Sequence, residues 1–444
     1  MAEIKTKTRA KRTVSKTAAA KTDTVNITPA VLNGTVKAPP SKSYAHRGVI
    51  SAFLSGGECD VKNIHLSEDL KATLGCIKAL GSAFEYDEKK KTVHFVGTRS
   101  ALSEKVILDC GESGSTLRFF IPIAMCFCQN LEFCGKGRLM ERPLDPYFEI
   151  FDSLGIDHKM KDGRLTVKGG LKSGSFSVDG SISSQFITGL LFALPLLDGD
   201  SEIVIRGGLS SKAYIDITLD VLKRFGIKIE NNDYKSFIIK GSQKYKNCNY
   251  TVEGDFSQAA FFLAAGALGC DVTVSGLKAD SLQGDKKILE IIALTGAKIQ
   301  QTGTSKFGAT PTTDMHGITV DADEIPDLVP ILAVMLSFVR GESRIINAGR
   351  LRIKESDRLS AICSELKKLG ADIEEGDDFL TIRGKQVLNG AEVTSHNDHR
   401  ITMAMAIAAC RCEGTVVIDG ARNSVTKSYP NFFEDYKKLG GKVK

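Results

Sequence analysis

One signal recurs six times along this chain and narrows the folds open to it. An apolar residue, or Thr in one copy, precedes glycine at Leu80-Gly81, Leu154-Gly155, Phe225-Gly226, Thr295-Gly296, Leu369-Gly370 and Leu439-Gly440, so the glycines stand 74, 71, 70, 74 and 70 residues apart. Each pair closes an amphipathic helical pattern and opens a stretch of alternating character, where glycine serves as the left-handed helix stop. Near-constant spacing over six copies is an internal repeat. The period exceeds that of common solenoids, so each copy is expected to be a small α/β unit. Such a unit cannot bury both faces of its sheet alone. The 444 residues are too many for one core, and three units in each of two domains is the simplest arrangement.

Every copy also contains a short apolar helix. These are expected at Tyr44–Leu54, Ser115–Phe127, Gln185–Leu197, Ser257–Leu268, Leu328–Val339 and Ile401–Cys410. Strands such as Asp271–Ser275, Ser343–Asn347 and Thr415–Asp419 follow. The polar stretch Gly241–Val252, leading into Glu253-Gly254-Asp255, marks one passage between domains, and Ala38-Pro39-Pro40 the other. The expected division is a basic disordered tail (1–24), one domain of 25–40 plus 255–444, and a second of 41–254.

Charge excludes some functions. The chain carries +6, but the first 24 residues hold seven cations and two anions, so +6 less +5 leaves +1 for the rest. A near-neutral body without an aromatic-lined basic face speaks against nucleic-acid binding as the main function. The tail lacks the apolar core of a secretory signal, although an organellar transit peptide has a similar composition. The longest near-apolar run, Leu328–Val339, is too short for a membrane span. The eleven cysteines form no CxxC pair, and Cys126/Cys128 and Cys410/Cys412 fall inside apolar segments. That indicates a reducing compartment rather than a disulfide framework. The expectation is a cytoplasmic monomer.

Chemistry concentrates at the helix entrances. They read Lys42-Ser43…Arg47, Gly111-Glu112-Ser113-Gly114-Ser115-Thr116 with Arg118, Gly180-Ser181-Ile182-Ser183-Ser184-Gln185, Gly254-Asp255-Phe256-Ser257-Gln258, Pro326-Asp327, and His396-Asn397-Asp398-His399-Arg400. Loops add Arg138…Glu141-Arg142-Pro143, Ser210-Ser211-Lys212, Lys354-Glu355-Ser356-Asp357-Arg358 and Lys427-Ser428. Helix starts rich in Ser and Gly let a backbone approach an anion closely, and arginines fork onto carboxylate or phosphate. So many cations suit a multiply anionic substrate pair in a cleft between domains. No P-loop occurs, and Gly135-Lys136-Gly137 lacks the third glycine of a dinucleotide fingerprint because Met140 stands there. His396 and His399 have metal-compatible spacing, but their neighbours favour a hydrogen-bonded turn. Asp327 and Glu355, acids among cations, are acid/base candidates, and Lys42 is the leading cationic acid.

These clusters, together with Tyr214-Ile215-Asp216-Ile217-Thr218, resemble the 5-enolpyruvylshikimate-3-phosphate synthase family from about Ile27 to the C-terminus. The resemblance implies a two-domain inside-out α/β barrel of six βαβαββ-type units, three per domain. The strand before Pro39 would belong to the second domain. It implies enolpyruvyl transfer from phosphoenolpyruvate to the 5-hydroxyl of shikimate 3-phosphate by addition–elimination, without metal or organic cofactor. Lys42, Ser43, Arg47, Ser183, Ser184, Gln185, Ser211, Asp327 and Lys354 would bind shikimate 3-phosphate. Lys42, Gly114, Arg142, Gln185, Arg358, Arg400 and Lys427 would bind phosphoenolpyruvate. Asp327 would be the proton acceptor, with Glu355 its partner in proton transfer.

Two positions depart from the family pattern. Glu112 replaces a common Asn and would repel phosphoenolpyruvate unless paired with a cation, and Arg350 replaces a shikimate-side Asn. The alternative acceptor, a UDP-amino sugar, would require a Lys-Asn pair in the first cluster and a reactive Cys in a mobile loop. Here Lys42-Ser43 stands instead. Opposing anion-binding helix ends are also expected to repel until substrate enters, which predicts an open ligand-free cleft.

Overall fold

The computed structural model describes residues 23–444. The expectation for the basic tail therefore lies outside the described residues, apart from Asp23 and Thr24. Those two are fixed: the Asp23 carboxylate accepts from Asn423 N at 2.8 Å, and its carbonyl from Ala421 N at 3.0 Å.

Six apolar helices form where the pattern predicts. They are α1 (Lys42–Ser55), α2 (Gly114–Met125), α3 (Ser184–Ala193), α4 (Phe256–Ala267), α5 (Val329–Leu336) and α6 (His399–Ala408). Five of them end one to four residues earlier than the apolar run suggests, and α1 ends one residue later. After α3 and α6 the chain tightens into 3-10 turns, Leu194–Leu196 and Ala409–Arg411. Apolar content continues there because the turns are buried too, so hydrophobicity cannot mark the boundary.

Six four-stranded sheets share one pairing pattern: a parallel pair, then two antiparallel pairs. In Ser175–Asp179, Ser201–Arg206, Ser236–Ile239 and Ile229–Asn232 all four strands are local. Two more sheets, within 106–168 and 319–383, are local as well, and in the remaining three the chain borrows. Asn33–Lys37 pairs in parallel with Asp271–Ser275, Val25–Thr28 lies antiparallel between Val416–Asp419 and Lys442–Val443, and Tyr250–Thr251 pairs with Val61 and Lys62. All six signal glycines have positive φ, from 64° at Gly155 to 95° at Gly296. This is the conformation in which other residues are strained.

Buried apolar residues form two cores. One joins Val25–Ala38 to residues from Phe256 to Leu439, and the other runs from Tyr44 to Val252. The chain passes between them twice, and the two passages bond to each other: Ser41 N donates to Glu253 O and Asp255 N to Pro39 O, each at 2.8 Å. Gly254 is pressed against Gly276, whose carbonyl oxygen would lie 2.3 Å from an added Cβ. Gly241–Val252 packs into the core that starts at Tyr44, so the passage itself is confined to 253–255. Tyr245 and Tyr250 are buried, and the Tyr245 hydroxyl donates to Phe192 O at 2.8 Å. Two aromatic anchors outweigh its polar composition.

Candidate active site

The starts of α1, α2 and α3 face one cleft, and serines cap all three. Ser41, Ser113 and Ser183 accept from Tyr44, Thr116 and Gln185 N–H respectively. The cleft is lined by Lys42, Ser43, Arg47, Gly114, Arg142, Ser183, Ser184, Gln185, Ser211, Asp327, Lys354 and Glu355, all expected from the sequence. Asp69, Ser115, Phe119, Tyr214 and Arg350 complete the wall.

On this side buried arginines lack carboxylate partners. Arg47, 3% exposed, donates to Thr218 Oγ1 at 2.8 Å, Ser43 O and Tyr214 O at 2.9 Å. Arg118 donates to Gln185 Oε1 at 2.8 Å and Pro143 O at 3.0 Å, and stacks on Phe186. Burial pushes Arg47 down to about 10 and Arg118 to about 9, the latter with help from Arg142. Arg142 lies against Gly114, where an added Cβ would come within 2.6 Å of its guanidinium. Its buried Nε has no partner. Such cations gain strongly from an arriving anion. Lys42 is the exception, 3.0 Å from Asp69 Oδ2. Burial opposes its charge, but Asp69 and Glu355 outweigh that and raise its pKa.

The opposite wall is a lattice of alternating charge. Asp327 accepts from Arg358 Nη1 at 3.1 Å and Arg400 Nη2 at 2.7 Å. Arg358, 1% exposed, also holds Glu355 at 2.8 Å and Asp398 at 2.9 Å. Burial alone would raise the Asp327 carboxyl, but Arg400, Lys354 and Arg358 hold it well below the usual carboxylate range. Against the same burial, Arg358 and Arg142 keep Glu355 well below it as well. Burial pushes Lys354 down to about 8 despite Asp327. His399 is pushed down to about 3 by burial and Lys42, and its ring nitrogens have no partner. His396 instead meets Glu365 at 2.7 Å, as a turn residue.

Arg358 and Arg400 stand behind Asp327 rather than on the cleft wall. Lys427 lies in the neighbouring cleft with Glu112 and Asn397. There it donates to Glu112 Oε2 at 2.5 Å and Asn397 O at 2.7 Å. The first departure thus has its cation. The second, Arg350, donates to Ser211 Oγ at 3.1 Å and to the Asp323 carbonyl, tying the two walls. Ser211 takes φ +59°, a left-handed conformation that a serine adopts at a cost. Ser210 and Tyr214 bridge too, to Asp323 at 2.8 Å and Asp327 at 3.3 Å. The cleft is closed in this structure. The aspartates at the second core's helix entrances, Asp255, Asp327 and Asp398, offset the repulsion expected between opposing positive ends.

Sequence reasoning did not single out Asp69 or Tyr214 as site residues. Asp69 sits in the acidic first turn of helix Glu68–Ala79, which reads as ordinary helix-dipole complement. Tyr214 follows Ser211 by three positions, a spacing that places it one turn into its helix beside the serine.

The EPSP synthase (3-phosphoshikimate 1-carboxyvinyltransferase) family model matches residues 27–436. A 3-phosphoshikimate 1-carboxyvinyltransferase of Clostridium novyi is 50% identical over 428 residues, covering 94% of this chain and 98% of that protein. One from Clostridioides difficile is 47% identical over 430 residues, with the same coverage. Among solved structures, EPSP synthase from Acinetobacter baumannii superposes with TM-score 0.76 at 24% identity, covering 95% of this chain and 99% of that one. The enolpyruvyl transferase NikO from Streptomyces tendae also gives 0.76, at 15% identity, covering 95% and 98%. Those two likenesses establish a shared mixed α/β fold. By its family match and its near-full-length relatives, the chain belongs to the EPSP synthase (3-phosphoshikimate 1-carboxyvinyltransferase) family.

Proposed function

We infer that the closed cleft transfers the enolpyruvyl group of phosphoenolpyruvate to the 5-hydroxyl of shikimate 3-phosphate, releasing phosphate. The observation that carries this reading is the contrast between its walls: carboxylate-free buried arginines and serines on one, acid–base carboxylates on the other. The 41–254 domain holds most contacts to shikimate 3-phosphate, through Ser43, Arg47, Ser183, Ser184, Gln185 and Ser211. The domain of 25–40 plus 255–444 supplies Arg358, Arg400 and Lys427 to phosphoenolpyruvate. Gly114 and Arg142 complete that pocket from the first domain. The six like-patterned sheets support three units per domain in a two-domain inside-out α/β barrel.

In addition, the 5-hydroxyl oxygen bonds to C2 of phosphoenolpyruvate while C3 takes a proton. Asp327 accepts the hydroxyl proton, and Lys42, kept protonated by Asp69 and Glu355, delivers the one to C3 with Glu355 as its carboxylate partner in the transfer. Elimination returns a proton from the former C3 to the neutral Lys42 amine left by the addition, and the C2–O bond to phosphate breaks with its electron pair going to the departing phosphate, restoring the double bond. Asp327 is too acidic in its empty lattice to be an effective base. Two arriving anions engage Arg400, Arg358 and Lys354, weaken their hold on Asp327, and raise its basicity where the proton must go. Lys42, between both substrates, stabilises charge as the phosphate leaves.

Phosphate release with shikimate 3-phosphate as acceptor tests the reading. Turnover with that acceptor and none with a UDP-amino sugar is expected; the reverse would overturn it.

A further inference from the structure

We propose that Glu112 is an internal carboxylate ligand of Lys427, displaced by the phosphate- and carboxylate-bearing substrate, and that it thereby sets the affinity for that anion. The inference rests on placing Lys427 at the phosphoenolpyruvate side. Among the described residues, two ion pairs join the 41–254 domain to the other: Lys278–Glu253 at 3.6 Å, beside the chain crossing, and Glu112–Lys427, away from it. Glu112 Oε2 and the carbonyl of Asn397 occupy two of the three ammonium N–H groups. One remains for an incoming anion, and the ammonium's charge is already matched.

The two partners are not equally committed. The Lys427 side chain is 9% exposed and that of Glu112 34%. Glu112 Oε1 accepts no hydrogen bond among the described residues, and Oε2 gains only a long contact, 3.4 Å, from Asn397 Nδ2. The carboxylate lies beside Gly137, where an added Cβ would come within 3.1 Å of it. Glu112 can therefore turn into the adjoining cleft and be hydrated, whereas Lys427 stays fixed. A bound anion takes over the ammonium without stranding a buried charge.

Steady-state kinetics on Glu112→Gln and Lys427→Ala test this. Removing the competing charge in Glu112→Gln should lower KM for phosphoenolpyruvate about five-fold, the scale of a partly exposed ion pair. The inhibition constant for inorganic phosphate should fall with it, and both effects should shrink in high salt. Lys427→Ala should raise KM for phosphoenolpyruvate. If Lys427→Ala does so but Glu112→Gln leaves KM unchanged or raises it, Glu112 is only a latch between the cores and the proposal is overturned. If Lys427→Ala leaves KM unchanged, the placement of Lys427 fails, and the proposal with it.

Discussion

The helix entrances of the first core are capped by Ser41, Ser113 and Ser183; in the second core Asp255 and Asp398 cap α4 and α6, and Asp327 stands in the 3-10 turn ahead of α5. A serine satisfies a helix N–H and adds no charge. The positive end of the helix, and the arginine inside it, stay unneutralised. An aspartate satisfies the same N–H and cancels that potential. The first core thus presents sites waiting for anions, at the cost of buried, uncompensated Arg47 and Arg118. The second presents arginines committed to carboxylates, Arg358 to Asp327, Glu355 and Asp398 and Arg400 to Asp327, and these are the groups to which the proposed function gives acid–base roles. Similar entrances are specialised by the residue at one position.

Substitutions should separate the two walls. The largest effect is expected at Lys42, the cation that the proposed mechanism puts between both substrates. Lys42→Ala should reduce phosphate release about a thousand-fold, as loss of a transition-state charge partner does. Asp327→Asn should come next, lowering kcat about a hundred-fold or more. It should also lower the melting temperature, since Arg358 and Arg400 lose a buried counter-charge. Arg47→Ala should mainly raise KM for shikimate 3-phosphate. It should leave the melting temperature unchanged or higher, because it removes a buried cation that no carboxylate balances. Equal thermal losses in the last two variants would erase the contrast between the walls.

Smaller effects sharpen it. Gly114→Ala should push the Arg142 guanidinium aside and raise KM for phosphoenolpyruvate about ten-fold, the scale of one strong charged hydrogen bond. Above pH 8, Lys354 loses its proton in the free enzyme, because burial has brought its pKa from 10.5 to about 8. The value of kcat/KM for shikimate 3-phosphate should therefore fall on that side, and the decline should move in Lys354→Arg. The smallest change concerns shape. Scattering should show at most a slightly larger radius without ligands than with both, because Ser210–Asp323, Tyr214–Asp327, Ser211–Arg350 and Glu112–Lys427 already join the walls.

Much of the organisation was legible because the repeat is local chemistry. A glycine at a helix end, a serine before an apolar run and a Pro-Pro stop act within a few residues. What stayed hidden depends on partners distant in sequence. Arg350 and Glu112 looked like lost amides until Asp323 and Lys427, 27 residues back and 315 residues on, were seen to meet them. The polar composition of Gly241–Val252 hid its two tyrosine anchors, because averaging over a segment conceals single aromatics. Helix ends at Met125 and Ala193 were overrun because burial continues past the helix.

The borrowed strands have a consequence for biogenesis. Ile27 pairs with Val416, 389 residues later. At ribosomal speeds of about 5–20 residues per second, that partner emerges roughly 20–80 s after the strand itself. The core from Tyr44 to Val252 needs nothing beyond Thr251 to complete its sheets, so it can fold during translation. Strands Val25–Thr28 and Asn33–Lys37 must meanwhile wait with unpaired edges on the ribosome-bound chain. The earliest-made strands of the second core are then among the last to find their place, and that interval is when this protein is most open to aggregation or chaperone capture.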